Sequence, residues 1–336
     1  MLLFRHVSIR SHVAFNALFN AISSHATRGK HLARHVRSLS AVLDPKQPGR
    51  LHGLCFARAV SLFPNLSGLD LALYPPQKPC PSNEPEAEPF FALEDDALSI
   101  LRSGPRITVL RLANWSSDTS LLGTLLSLYH PTLRILSLCG TPASFSAPPA
   151  SPLLLTPQCP LDLTLEPSLA LVPALVGWFT DPNTAPLVRT LEFTRQPEPA
   201  VLAALLAAHG ATLTALALPT LTATDAAVIS AHGGSRFEAL RTEHPYAALP
   251  PPPLRARLRH AALAAAPALA LVREEARARG RLESVSVVLW RGDEEERATV
   301  RLLKVHCAHL GVRAEFERDV VAFRARFWAG AVQPLV

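Results

Sequence analysis

Charge is scarce in this chain. Asp, Glu, Lys and Arg make up 18% of its 336 residues, against 49% apolar. That balance excludes a disordered polar chain, because there is apolar surface enough to offset the entropy of folding. Aromatic residues are thin as well, at 6%, with four Trp and three Tyr. Leu and Ala do the filling instead, which suits a leucine-packed solenoid better than a sandwich or barrel. The five cysteines, Cys55, Cys80, Cys139, Cys159 and Cys307, are odd in number and none has C-x-x-C spacing. A disulfide framework or a structural zinc site is therefore not expected, and a reduced compartment, cytoplasm or nucleus, is the simple reading.

Catalytic signatures are missing too. There is no G-x-x-x-x-G-K-[ST], no G-x-G-x-x-G and no G-x-S-x-G, so nothing cradles a phosphate or presents a nucleophile at a strand-to-helix elbow. The 13 His are scattered, without an H-E-x-x-H pair. The one G-G pair, Gly233-Gly234, reads as a helix C-cap. No enzyme activity, metal or cofactor is expected. The acid cluster Glu94-Asp95-Asp96 diverges around a helix start, where it complements the macrodipole by a few tenths to about 1 kcal/mol per charge.

Long membrane-grade runs are lacking. One long uncharged stretch, Pro199 to Thr224, holds His209, Gly210, Pro219 and five Thr, and divides into one helix and one strand. No membrane span is expected. The net charge of +6 is uneven: residues 1–43 carry six Lys/Arg and no acid, 44–150 sum to −1, 151–250 to −4 and 251–336 to +5. A nucleic-acid binder would show a basic face with interleaved aromatics, so no nucleic-acid partner is expected.

What the chain does have is a frame, Leu-x-x-Leu-x-Leu, clearest at Leu133 to Leu138 (LRILSL). Copies begin at Val36, Leu66, Ile107, Leu133, Pro160, Val188, Leu213, Phe237 and Leu282. Their central residues, Leu39, Leu69, Leu110, Leu136, Leu163, Leu191, Leu216, Leu240 and Val285, are separated by 30, 41, 26, 27, 28, 25, 24 and 45 residues. Leucine-rich repeats run roughly 20–29 residues, with this frame on a short strand. Positions 4 and 6 share one side of a strand, and a single strand cannot bury that side alone, so neighbours must stack. The expected fold is α/β: an irregular leucine-rich-repeat solenoid of the ribonuclease-inhibitor-like horseshoe type, with a parallel concave sheet and convex helices. A doubly wound fold would also alternate strands and helices, but its strands would not share one six-residue frame. Position 9 departs from the Asn or Cys of such repeats: it is Asp44, Tyr74, Trp115, Thr141, Ser168, Gln196, Leu221 and Pro245 in the first eight copies. The horseshoe should accordingly be imperfect.

The organisation expected from this frame has three parts. Residues 1–35 are an N-terminal cap, extended over Met1 to Ile9 and then helical over Ser11 to Ser24. Residues 36–318 are the solenoid, with inserts at 75–89 (Pro/Glu-rich) and 250–280. Residues 319–336 are a capping helix that covers the last open strand, with a final edge strand at Val312 to Phe316. Leu254 to Arg279 reads as one Ala/Arg-rich helix, kinked or split at Pro267, its arginines a solvated face. Ala143 to Pro152 is too rich in Pro and Ser for a helix. The Arg-rich, acid-free N-terminus also has the character of a mitochondrial transit peptide; the frame starting at Val36 argues against import.

FRHVSIRS, a helix, RGKHLARHVRSLSAVLDP, and a helix ending LFPNLSGLDLALY together resemble the segment that follows the F-box in fungal F-box leucine-rich-repeat proteins. The connectors YHPTLRILSL and HGATLTALAL are similar as well, and the resemblance covers most of residues 1–245. It implies a substrate receptor of an SCF-type ubiquitin ligase, whose repeats hold another protein and whose F-box docks the ligase adaptor. The helical F-box would have to lie upstream of FRHVSIRS, so an adaptor partner is expected only where such a segment exists.

A solenoid binds through its concave strand face, which positions 3, 5 and 7 would line. Position 5 runs Ser40, Asp70, Arg111, Ser137, Thr164, Glu192, Ala217, Arg241 and Ser286, and position 7 adds Glu166 and Glu243. The candidate partner-binding row is Asp70, Arg111, Ser137, Thr164, Glu192 and Arg241 with Glu166 and Glu243. Against it stands the plain reading that each is a solvated strand residue. The expected function is non-catalytic protein binding. The alternatives are a stand-alone scaffold without a ubiquitin role, organellar if the N-terminus is an import signal, and a regulator such as a GTPase activator, for which no exposed catalytic Arg or Asn stands out.

Overall fold

The computed structural model describes residues 5–24, 26–44, 46–47, 49–74, 93–115, 120–129, 132–140, 161–165, 176–177, 179–180, 187–244, 247–278 and 281–331. The chain divides into two compact units, Met1–Pro186 and Leu187–Val336. Each is α/β and solenoid-like in its order: strand, connector, then the next strand parallel to the last.

In the first unit the strands are β1 (His6–Ile9), β2 (Ser38–Leu43), β3 (Gly68–Leu73), β4 (Val109–Asn114), β5 (Ile135–Cys139) and β6 (Leu161–Leu165). They pair in chain order, all parallel. In the second they are β7 (Val188–Phe193), β8 (Ala215–Leu218), β9 (Ala239–Thr242), β10 (His260–Ala264), β11 (Ser284–Val288) and β12 (Arg313–Glu317), again parallel and in order.

The six-residue frame is the register. Central residues face each other on neighbouring strands: Leu39 with Leu69, Leu69 with Leu110, Leu110 with Leu136, Leu136 with Leu163. In the second unit Leu191 meets Leu216, Leu216 meets Leu240, and Val285 closes the series beyond β10. These residues and their position-6 partners are buried. Full burial of a Leu is worth about 1.5–3 kcal/mol, so a one-residue slip, which would turn each leucine to the other face, is strongly disfavoured. Just before several strands, the position-2 carbonyl accepts from two successive N–H groups of the next copy. Arg37 O takes Ser67 and Gly68, Ser67 O takes Thr108 and Val109, Glu238 O takes Arg259 and His260, and Arg259 O takes Glu283 and Ser284.

Helices at Gly53–Ser61, Asp95–Arg102, Ser120–Tyr129, Pro199–His209, Ala223–His232 and Glu294–Leu310 occupy connectors, as the sequence led us to expect. The helix at 294–310 starts on Asp293, whose side chain accepts from Glu296 N–H at 2.8 Å. Among the described residues no helix is long and apolar enough to cross a membrane.

Three expectations need correction. The segment 250–280 is not an insert carrying one broken helix. After a short helix, Pro252–Arg255, it contains β10 and then a helix, Ala265–Ala278. It is a full copy whose frame reads Leu258, Ala261 and Leu263, all buried, and Ala261 pairs with Leu240 and Val285. The 45-residue gap is thus two ordinary ones. Pro267 is the third residue of its helix, a first-turn position where the missing N–H breaks no internal bond. The N-terminal 35 residues, expected to cap the solenoid, hold β1, whose Val7 pairs with Leu39 in frame. Helix Val320–Ala331 does not simply close the last edge at β12: it packs against β10, β11 and β12. The expected insert at 75–89 and the loop at 143–152 lie outside the described residues.

The missing position-9 asparagine is replaced piecemeal. Tyr74 and Trp115 use their backbone N–H groups, which donate to Leu43 O (3.1 Å) and Leu73 O (2.8 Å). Gln196 alone among the described copies uses its side chain across repeats: Nε2 donates to Asp225 Oδ2 at 2.9 Å, and Oε1 accepts from Thr220 N–H at 3.3 Å. Asp225, 1% exposed, completes a capping box with Thr222.

Candidate functional site: the position-5 row

Position 5 forms a registered line in each unit. In the first, Ser8, Ser40, Asp70, Arg111, Ser137 and Thr164 stand side by side on successive strands. In the second the line is Glu192, Ala217, Arg241, Ala262, Ser286 and Glu315. Strand neighbours are about 4.8 Å apart.

The two lines differ in environment. In the first unit Arg111 is exposed, and Asp70, Ser137 and Thr164 are half-buried. Asp70 and Arg111 are direct register partners of opposite charge, yet among the described residues neither carries an ion pair or a side-chain hydrogen bond. Two flanking rows are apolar and half-buried: Val109 and Ile135 at position 3, and Val42, Ala72 and Ala113 at position 7. Glu166 lies outside the described residues.

In the second unit the expected row is covered. Glu192, Arg241 and Glu243 are buried, Arg241 to 1%. Helix Val320–Ala331 lies over them. Its Phe323 and Phe327 join Ala215, Ala217, Ala239, Ala262, Ala264 and Val288 in one apolar cluster. This cluster is on the opposite side of the sheet from the main core, where Ala261, Leu263, Val285 and Val287 pack against Leu269, Val272, Leu303 and Cys307.

The polar contacts under the helix are dense. Arg241 Nη2 bonds Glu192 Oε1, and its Nε lies 3.4 Å from Glu243 Oε1. Arg324 Nε and Nη2 each donate to a different oxygen of Glu243 at 2.7 Å, the bidentate geometry a guanidinium is suited to. Those hydrogen bonds hold the Arg324 guanidinium above its ordinary pKa, overcoming partial burial, with the charges of Glu243 and Glu192 adding to the rise. Phe327 offers its ring face to Arg241 Cζ at 5.7 Å, and Trp290 Nε1 donates to Glu243 O at 2.7 Å. Two carboxylates and two guanidiniums balance each other, as buried charge requires.

The frame does not reach Ser8, Ala262 and Glu315, which extend the row, nor does it give the row's division into an accessible part and a covered part. Reasoning from the frame missed Phe323, Arg324 and Phe327 as residues of this face. A signal was present. Strand β8 reads ALAL and is buried on both sides, which is how a strand reads when both faces of its sheet are covered. The arginines expected on one basic helix are likewise spread over several elements: Arg257 donates to Gly233 O and Gly234 O, and Arg259 reaches Glu238 at 3.8 Å and Glu283 at 3.7 Å.

No family's sequence model matches the chain, and no curated protein sequence matches it.

Proposed function

We propose that the chain is a non-catalytic, protein-binding leucine-rich-repeat protein whose partner surface is the strand face around Asp70 and Arg111, with Ser40, Ser137 and Thr164 extending it. The observation that supports this is the unequal fate of the row. Where the row meets the chain's own helix, its charges are paired and buried. At β3 and β4 an Asp and an Arg stand in register with no bond to each other, between apolar rows. An Asp and an Arg on adjacent strands that stay unpaired keep their bonding capacity for another molecule, and the half-buried setting of Asp70 makes its bonds worth more than on open surface.

The frame and the resemblance to F-box leucine-rich-repeat proteins favour a receptor for a protein to be ubiquitylated. Joined to an F-box, these repeats would present that protein to the ligase.

Two measurements test the reading. A photo-crosslinking amino acid at Ser40 or Ser137, in cells, should give a protein adduct that Arg111→Glu abolishes while the melting temperature holds. An adduct indifferent to Arg111→Glu, or none, sinks the surface. Co-purification of the SCF adaptor with the native protein supports the receptor role; its consistent absence leaves a scaffold without ubiquitin function.

A further inference from the structure

The two units charge the same edge of their sheets differently. Because the strands run parallel and in register, their starts lie along one rim, which position 2 of the frame marks. In the second unit acids and a base alternate on that rim: Arg259 reaches Glu238 at 3.8 Å and Glu283 at 3.7 Å. In the first unit position 2 holds Arg5, Arg37, Ser67, Thr108 and Arg134 on β1 to β5, and Arg106 stands just before the frame of β4. All four arginines are exposed, and among the described residues none pairs with a carboxylate. The Arg37 side chain donates only to the Asn65 carbonyl, at 3.1 Å. The acids of this unit's described strands, Asp70 and Asp162, stand inside the rim, at positions 5 and 3, and residues 1–43 contain no acid at all. Arg37 N–H donates to Arg5 O at 2.9 Å, so two cations sit on touching strands with no anion between them. Like charges so placed repel, and a bound anion relieves the repulsion.

Resting on the protein-binding reading above, we propose that the partner of this face is acidic: an extended Asp/Glu-rich segment of another protein lies along the β1–β5 rim, its carboxylates on Arg5, Arg37, Arg106 and Arg134. A guanidinium fork matches a carboxylate with two bonds. Ser67 and Thr108, between the arginines, add hydroxyl donors. Four strand spacings span about 19 Å, the reach of about six extended residues. The rim is built for a peptide rather than a nucleic acid. No Phe, Tyr or Trp stands at position 2 or 3 of β1 to β5, so unstacked bases find no platform there. Arg111, exposed on the neighbouring row, carries the same charge inward and joins the rim to the face around Asp70.

The test uses the full chain and, as probe, a fluorescein-labelled hexaglutamate peptide read by polarisation. Saturable binding at low salt is expected, falling as salt shortens the reach of the charges. The double variant Arg37→Glu, Arg134→Glu should weaken it about tenfold, as the loss of two exposed pairs implies. Arg134→Glu alone, whose side chain makes no bond among the described residues, should weaken it less while the melting temperature holds. The control is Arg236→Glu with Arg273→Glu, two exposed arginines of the second unit; it changes the net charge equally and should leave binding unchanged. No saturable binding, or equal losses in both double variants, overturns the proposal. So does a single-stranded oligonucleotide of equal charge that binds more tightly through the same arginines. If the peptide fails while the Ser40 crosslink persists and still depends on Arg111, the face binds protein of another chemistry, and only this inference falls. If both fail, the surface itself is wrong.

Discussion

Glu243 holds Arg324 through two hydrogen bonds of 2.7 Å that close a loop of 81 residues between the end of β9 and helix Val320–Ala331. The same carboxylate is 3.4 Å from Arg241 Nε, so one side chain ties the helix to the row beneath it.

Glu243→Gln keeps the shape and removes the charge. Hydrogen bonds to charged groups contribute roughly 1.5–3 kcal/mol, so amides of 320–331 should exchange about 10- to 100-fold faster, read by hydrogen-exchange mass spectrometry. Protection equal to wild type would show that the aromatic contacts alone hold the helix.

How much of this was legible beforehand follows from what the frame encodes. Leucines at positions 4 and 6 name the strands and their register, because a side chain repeating every two residues must choose a face. Where Ala261 stands in place of leucine the frame fades, and the sequence of β10 reads as helix. The frame says nothing of what lies on the other face. Arg241 and Arg111 occupy the same position in the repeat, yet one is buried and the other exposed. The difference comes from a helix more than 80 residues away in the chain, a long-range contact no local pattern carries.

Ala217, on β8, is fully buried against the aromatic residues of that helix. Ala217→Phe adds a ring where none fits, and overpacking costs typically about 1–3 kcal/mol. The ring points at Phe323 and Phe327 and away from the leucine core, so the variant should keep its circular-dichroism spectrum while protease cleavage near residue 319 accelerates. Unchanged cleavage would mean the helix does not depend on this face.

His260 gives the second unit a pH response. Its ring bonds Ser284 Oγ at 2.9 Å. Burial lowers its pKa; Glu283 and Glu238 oppose that shift without cancelling it, and Arg313 and Arg259 add to it. A base harder to protonate in the fold than in the unfolded chain contributes no penalty well above the unfolded value, about 6.5. As pH falls below that value the unfolded chain binds the proton first, and stability drops. The melting temperature should fall between pH 7.5 and pH 5.5, and by less in His260→Asn. Equal falls in both proteins would remove His260 from the account.

Successive turns touch at glycine. A Cβ on Gly234 would sit 2.1 Å from Gly210 O, a backbone atom that cannot swing aside. Gly177 has nothing within 4 Å of such an atom. Gly234→Ala should therefore lower stability by about 1–3 kcal/mol, and Gly177→Ala should leave it unchanged or slightly raised, both from urea midpoints. Equal midpoints would mean that the stacking of turns is looser than this contact implies.

Tyr129 shows the opposite sign. Its side chain is buried at the end of helix Ser120–Tyr129, and its hydroxyl has no hydrogen-bond partner among the described residues. An unpaired buried hydroxyl costs about 1–3 kcal/mol, so Tyr129→Phe should hold or raise stability by about 1 kcal/mol, unlike an ordinary core substitution. Burial pushes the phenol pKa well above its usual value. In alkali the unfolded chain ionises first, near pH 10, and the fold loses stability as pH rises through that point. Wild type should lose more stability than Tyr129→Phe between pH 8 and pH 10.5. A destabilised Phe variant, or parallel alkaline losses, would show that the hydroxyl is bonded in solution and that the burial at this turn serves it.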